Sequence, residues 1–525
     1  MRKPSSITWL LAAARLIGSN PLPRTALIAG GAKSWRGALP YLAAGLILSA
    51  FAPHASAQTS YTSTTATTAW NAARWNNSAD GPTYTSTFTS GQAVNFTSGT
   101  YTFAGMGAVT NVGNVTVASG VSVTVTAGST YATGGLVQTI NIGSGGLFDL
   151  QGAISTAAGT GFIKSGAGVL AIAGGTYLGG FTLNAGTVIA RGTTGLGSGA
   201  TNTLVLNGGT LASNATRTFD NTRFAGGITI GGNVQFGELA TIVALASSTA
   251  NLSFANNVSL GAVNRIFTQG NNGTNTFSAI ISNTGSGGIT FAANANTDGR
   301  FDITNAANTF TGNIGINGGE VRFTADGSIG NAANDIIIDG GRFGKASDAT
   351  TVTLGAGRDI YVGDGAGTSI SSAGTGILIY NNVIANKVGE TGSWAKQGGG
   401  TLELGGVSTY TGNTVINNGL LKLTTGNDRL PTGTVVSLGQ AASANLGTFD
   451  LNGQSQQIAG LVSTSGINAA VTKNTVTSAT AATLTISVAN GVTHTYGDGT
   501  AANSGVLTGA LLLVKTGSAL SIGKT

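Results

Sequence analysis

Three stretches of this 525-residue chain repeat one internal spacing. They are KSGAGVLAIAGGTYLGGFTLNAGTVIARG (164–192), FDITNAANTFTGNIGINGGEVRFTADG (301–327) and KQGGGTLELGGVSTYTGNTVINNGLLKLTTG (396–426). With Tyr177, Phe310 and Tyr410 as anchors, a glycine follows two positions on, at Gly179, Gly312 and Gly412. An asparagine follows at seven (Asn184, Asn317, Asn417) and a second glycine at nine (Gly186, Gly319, Gly419). Apolar residues sit at six (Leu183, Ile316, Ile416) and eleven (Val188, Val321, Leu421), and a fourth copy opens at Lys515 and stops at Thr525. A unit this short cannot bury its own apolar face; stacked units share one core. The spacing therefore demands a solenoid.

The rest of the chain fixes the kind of solenoid. Past residue 57, short runs alternate apolar and polar residues, as in Val115, Val117, Val121, Val123 and Val125, and are split by glycine or asparagine. The pattern recurs in TINIGSGGLFDLQG (139–152), TLVLNGGTLAS (203–213), DIIIDGGRFG (335–344) and GTFDLNGQ (447–454). Period-two alternation rich in Thr, Val and Ile reads as strand, with Gly or Asn bending the chain at the corners. The chain is all-β, with inward Val, Ile, Leu and Phe. Corner asparagines such as Asn184, Asn317 and Asn417 are suited to hydrogen-bonded ladders, and the corner glycines to positive φ. At roughly 20–25 residues per turn, residues 58–525 should form about 20 turns.

Charge and cysteine remove several classes of function. The chain has 24 basic and 18 acidic residues, but Arg2, Lys3, Arg15, Arg24, Lys33 and Arg36 precede residue 58, so the remainder is balanced. No basic stripe is left to neutralise phosphates, and nucleic acid is not an expected partner. The absence of cysteine excludes disulfides, thiolate metal sites and thiol catalysis. The early charges precede an apolar run (38–52), a helix-breaking Pro53 and the small-x-small pair Ala55 and Ala57 before Gln58. This is a signal peptide with a long n-region, too short to span a bilayer.

Candidate chemistry is sparse. His54 falls in the leader, which leaves His494 in GVTHTYGDG without a nucleophile-elbow motif. SALSIGKT (518–525) resembles a phosphate loop but has Ser518 where the first glycine belongs. Charged trios that could serve a polysaccharide lyase or hydrolase are Asp298, Arg300 and Asp302; Asp335, Asp339 and Arg342; and Arg358, Asp359 and Asp364. The same trios also fit solvated strand faces and Asp-stabilised turns. VGDGAG (362–367) is a lone echo of a calcium-binding nonapeptide. No catalytic residue, metal or cofactor is assigned.

The sequence K-x-G-x-G-x-L-x-L-x-G-x-x-x-Y-x-G followed by N-x-G, as it stands from Lys396, resembles the passenger-associated transport repeat. This is also known as the autotransporter-associated β-strand repeat of type V secreted bacterial proteins. The resemblance implies a right-handed parallel β-helix (β-solenoid) passenger, exported through the periplasm to the cell surface, outer membrane or medium. It further implies a partner, an outer-membrane translocator barrel, which this chain does not contain. A chain that stops inside a repeat is expected to be a fragment whose last turn, with Leu511, Leu513, Leu520 and Ile522, invites self-association. The organisation expected is a leader (1–57), a cap with the first coils (58–160) and a repeat-bearing solenoid (161–525). The function expected is a structural or adhesive stalk for a host or neighbouring-cell surface ligand. A polysaccharide-active β-helix enzyme and a translocation-assisting spacer are the alternatives. The exported protein should begin at Gln58, and Ala57→Trp should block processing; mass spectrometry finding residues 1–57 intact after export would refute the leader.

Overall fold

The computed structural model describes residues 60–63, 75–77 and, with short interruptions, 93–522. The leader, the processing residues Ala55, Ala57 and Gln58, and also Tyr177 and Asp298 lie outside the described residues. Alternation builds the coil directly. In Ala93–Phe96, Ser122–Val125, Arg300–Ile303 and Thr401–Leu404, every second side chain is buried. Successive turns pair in parallel and in register, so inward residues form columns. One column runs Tyr101, Val123, Phe148, Leu170, Val188, Leu211 and Phe236. Among the described residues the one antiparallel pairing is at the start: Ser60–Ser63 runs parallel to Ala93–Phe96 but antiparallel to Trp75–Asn77, the outermost strand of that sheet.

The result is a parallel β-solenoid of about 16 turns. The described residues hold no α-helix, only a 3-10 turn at Asp326–Ile329. The faces change along the axis. One 11-stranded sheet ends at Ile281–Ser282, and a 13-stranded sheet runs from Thr100–Phe103 to Ile384–Asn386. A second 11-stranded sheet begins only at Arg217–Asp220 and continues to Gly460–Ser463. The number of turns is lower than the sequence suggests because turn length varies widely. Paired residues are as near in sequence as Val169 and Thr187 and as distant as Arg217 and Leu252.

That longest turn carries an insertion with a visible role. Val169, Ala171, Ile189 and Ala212 form a small apolar cluster separate from the main core. Leu245 and Ala246, from the insertion, pack against it. At the other end, Gly505–Gly517 pairs in parallel with Asn474–Val488 across a register shift between Ser478 and Ala482. Leu511, Leu513 and Leu520 pack partly against the core, whereas Leu512 and Ile522 are the exposed apolar residues there. The expected apolar edge is thus narrower than the sequence suggests, since Leu511 and Leu513 of the long strand and Leu520 of the short strand after it are partly buried.

Aromatic residues thicken the middle of the core. The Phe254 and Phe277 rings stack at 4.7 Å, and Phe236 meets Phe254 edge-on at 5.4 Å. Burying such rings in register adds contact energy beyond area alone. Phe277→Ala should destabilise the solenoid by about 3–5 kcal/mol, whereas Thr276→Ala on the outward face should change stability by about 0.5 kcal/mol or less. Denaturant unfolding of the two variants checks this.

Candidate functional site

In each repeat a corner joins two strands: Phe181–Leu183 to Thr187–Ala190, Ile314–Ile316 to Glu320–Phe323, and Thr414–Ile416 to Gly419–Leu423. Phe310 and Tyr410 are buried beside them. Gly186, Gly319 and Gly419 have φ of 72°, 70° and 71°, the left-handed region that disfavours any side chain. Asn184 accepts a 2.9 Å hydrogen bond from Asn207 one turn on, a true asparagine ladder step. Asn317 and Asn417 are tied through their backbone N–H groups to Phe291 and Lys396. More often the corner side chain accepts from the backbone of the next turn. Asn313 Oδ1 accepts from the Asp335 N–H, and Asp335 Oδ1 accepts from the Asp359 N–H, each at 3.1 Å.

The described members of the charged trios do not gather into a reacting centre. Arg300 pairs with Asp302 at 2.9 Å along its own strand. Glu320 lies beside this pair and takes Arg322 at 3.0 Å and Arg342 at 3.6 Å, a row of neutralised charges on an outer face. Arg342 is therefore committed away from Asp335 and Asp339. Arg358 is fully buried, with its guanidinium on Asp326 at 3.0 Å and on the carbonyls of Asn334 and Gly330. Asp364 is exposed and belongs to a different cluster. His494 sits in the short strand His494–Tyr496, beside Leu520–Ile522, with its ring filling the space above Gly460.

Two open grooves lie among the described residues. One of about 660 Å³ is lined by Asn264, Thr290, Asn313, Gly315, Asn317 and Ile337 among others, with no carboxylate. The second, of about 460 Å³, includes Tyr410, Pro431 and one carboxylate, Asp428. Asp428 already accepts the Gln457 N–H at 2.8 Å. Neither offers the paired carboxylates of a glycosidase.

Asp339, Asp364 and Glu390 do converge, with carboxylate oxygens within 4.8 Å of one another. Lys387 supplies their cation, bonding Asp339 Oδ2 and, at 2.5 Å, Glu390 Oε1. The Lys387 hydrogen bond is the first cause holding both Asp339 and Glu390 below the usual carboxylate range. Asp339 and then Glu390 raise Lys387 to about 12. Depressed carboxylates stabilise above their unfolded values and lose that contribution as pH falls through the folded ones. A raised lysine stabilises below its unfolded value and loses this as pH climbs to the folded one. The cross-link should therefore be tightest between about pH 5 and 10, and the 387–392 loop should loosen in acid. Lys387→Met should reverse the sign, because unneutralised carboxylates repel as they ionise. Amide exchange of that loop against pH tests both.

Sequence reasoning missed the buried cations. Lys164, Lys345, Lys396 and Arg358 have 0% exposure. The signal was present: Lys164 shares the inward parity of Phe162, and Lys396 that of Trp394.

Residues 162–190, 298–323 and 395–423 match the passenger-associated-transport-repeat family. An adhesin BmaC autotransporter of Brucella suis biovar 1 (strain 1330) is 28% identical over 310 residues, covering 54% of this chain and 8% of the relative. This chain thus spans only a small part of that protein's length. No solved structure matches. Each matched stretch contains one of the strand–corner–strand units on a single parallel solenoid, so the chain carries three passenger-associated transport repeats and is similar to autotransporter passengers.

Proposed function

We propose that the chain is a surface-displayed passenger whose solenoid acts as an adhesive stalk and not as an enzyme. It would be exported through the periplasm after removal of residues 1–57 and delivered by an outer-membrane translocator barrel. Residues 58–160 would cap and start the coil, and 161–525 would form its repeat-bearing shaft. The observation that carries this reading is the likeness of 54% of the chain to part of an adhesin, on a scaffold built from passenger repeats.

The surface chemistry supports it. Outward positions stack as rows of hydroxyl and methyl groups, such as Thr182, Val205, Thr229, Ser259 and Ser282. Such rows offer hydrogen bonds and apolar contact with little charge, which suits a host or neighbouring-cell ligand over a polyanion. Several carboxylates are taken up by partners, as in the Arg300–Asp302 and Lys387–Asp339 pairs.

The test is to display residues 58–525 on a non-adherent bacterium through an autotransporter barrel, with the barrel alone as control. Attachment to host cells, matrix or neighbouring bacteria should rise, and incubated polysaccharides should release no reducing ends. Released reducing ends or unsaturated uronates would replace this reading with the polysaccharide enzyme. A passenger that attaches to nothing yet is needed for efficient export would replace it with the translocation spacer.

A further inference from the structure

The motif residues of the first and third repeats converge on one buried ammonium. Lys164 stands in an inward column between Ile140 and Leu183, and Lys396 stands between Ile370 and Ile416. Lys164 Nζ donates to the carbonyls of Ser165 and Gly166, both at 2.7 Å, and of Ala185 at 3.1 Å. Lys396 Nζ donates to Gly398 at 2.5 Å, Gly400 at 2.6 Å and Asn418 at 2.8 Å. In both, two acceptors come from the bend just after the lysine. The third comes from the next turn, one residue after the repeat asparagine. All three ammonium hydrogens are used, which is what a buried charge requires.

The glycines of the motif belong to the same object. A Cβ on Gly186 would lie 2.3 Å from the Gly166 oxygen and 2.7 Å from Lys164 Nζ. A Cβ on Gly419 would lie 2.5 Å from both the Gly398 oxygen and Lys396 Nζ. The middle repeat supplies the contrast: Phe291 pairs with Ile316 where the other two repeats have lysine. There, a Cβ on Gly319 would meet only the Ala293 methyl at 3.2 Å and the Gly299 oxygen at 3.8 Å.

We propose that Lys164 and Lys396 are cation clamps, each fastening its own turn to the next through a three-carbonyl cage, and that the two clamped repeats are the segments of the solenoid that open last. The carbonyl dipoles favour the charged form, against burial that by itself pushes Lys164 down to about 8 and Lys396 to about 7. Lys345 separates clamping from burial. It is equally buried, but its ammonium bonds Ala346 and Asp348, all within its own bend. Lys515 begins the fourth copy and is exposed, bonded to Gly517.

The test uses the full chain. In native-state hydrogen exchange of the unsubstituted protein, strands 162–190 and 395–423 should be protected more than 298–323. Lys396→Met should lower protection of 395–423 by about 100-fold, the loss expected when buried carbonyls lose a charged donor, and leave 162–190 unchanged. Lys515→Met should change nothing. Amine acetylation in the native state should reach Lys164 and Lys396 more slowly than Lys345. Equal protection of the three repeats, or equal labelling of Lys345 and Lys396, would overturn the clamp. So would a Lys396→Met protein with unchanged exchange in 395–423. The exchange comparison of the three repeats and the acetylation, both made on the unsubstituted chain, decide the matter even where a variant does not fold.

Discussion

In-register parallel pairing is the constraint from which the rest of this molecule follows. A residue that points inward sits directly over its counterpart one strand spacing away, about 4.8 Å. Each inward position must therefore suit the residues above and below it, not merely be apolar. Columns such as Tyr101, Val123, Phe148 and Leu170 meet that demand by mixing ring and branched side chains. The ladder also satisfies strand backbone groups and leaves the corners exposed as the places where N–H and C=O groups need other partners.

The corners answer with side chains. Asparagines and aspartates accept N–H groups of the following turn, as Asn313 and Asp335 do. Lysine, arginine and glutamine donate to corner carbonyls, as Lys396, Arg358 and Gln269 do. The low charge of the chain is thus misleading as a guide to importance. Four cations, Lys164, Lys345, Lys396 and Arg358, are buried and donate to backbone oxygen, while others, such as Arg300 and Arg342, are paired on the outer face.

The strands and corners were legible because alternation and glycine spacing are local properties. The unit from Phe181 to Ala190 can be read from its own letters. The number of turns was not, since nothing local shows that Arg217 pairs with Leu252 across an insertion. Nearness in sequence was a poor guide to the charged trios for a related reason. Neighbours in sequence such as Arg358 and Asp359 fall on opposite sides of the wall, one buried and one partly exposed. The inward lysines were hidden by the assumption that inward means apolar, although their parity with Phe162 and Trp394 was plain.

The insertion that delivers Leu245 and Ala246 has a consequence for how such a coil can change over generations. A solenoid turn touches only its neighbours, so whole turns can be gained or lost with little effect elsewhere. The outer patch of Val169, Ala171, Ile189 and Ala212 breaks that freedom, because residues from several turns depend on one excursion to shield them from water. Loss of the excursion would leave a greasy exterior, and a polar patch would leave the excursion with nothing to hold it. Patch and excursion are therefore constrained together, an exception in an otherwise modular coil.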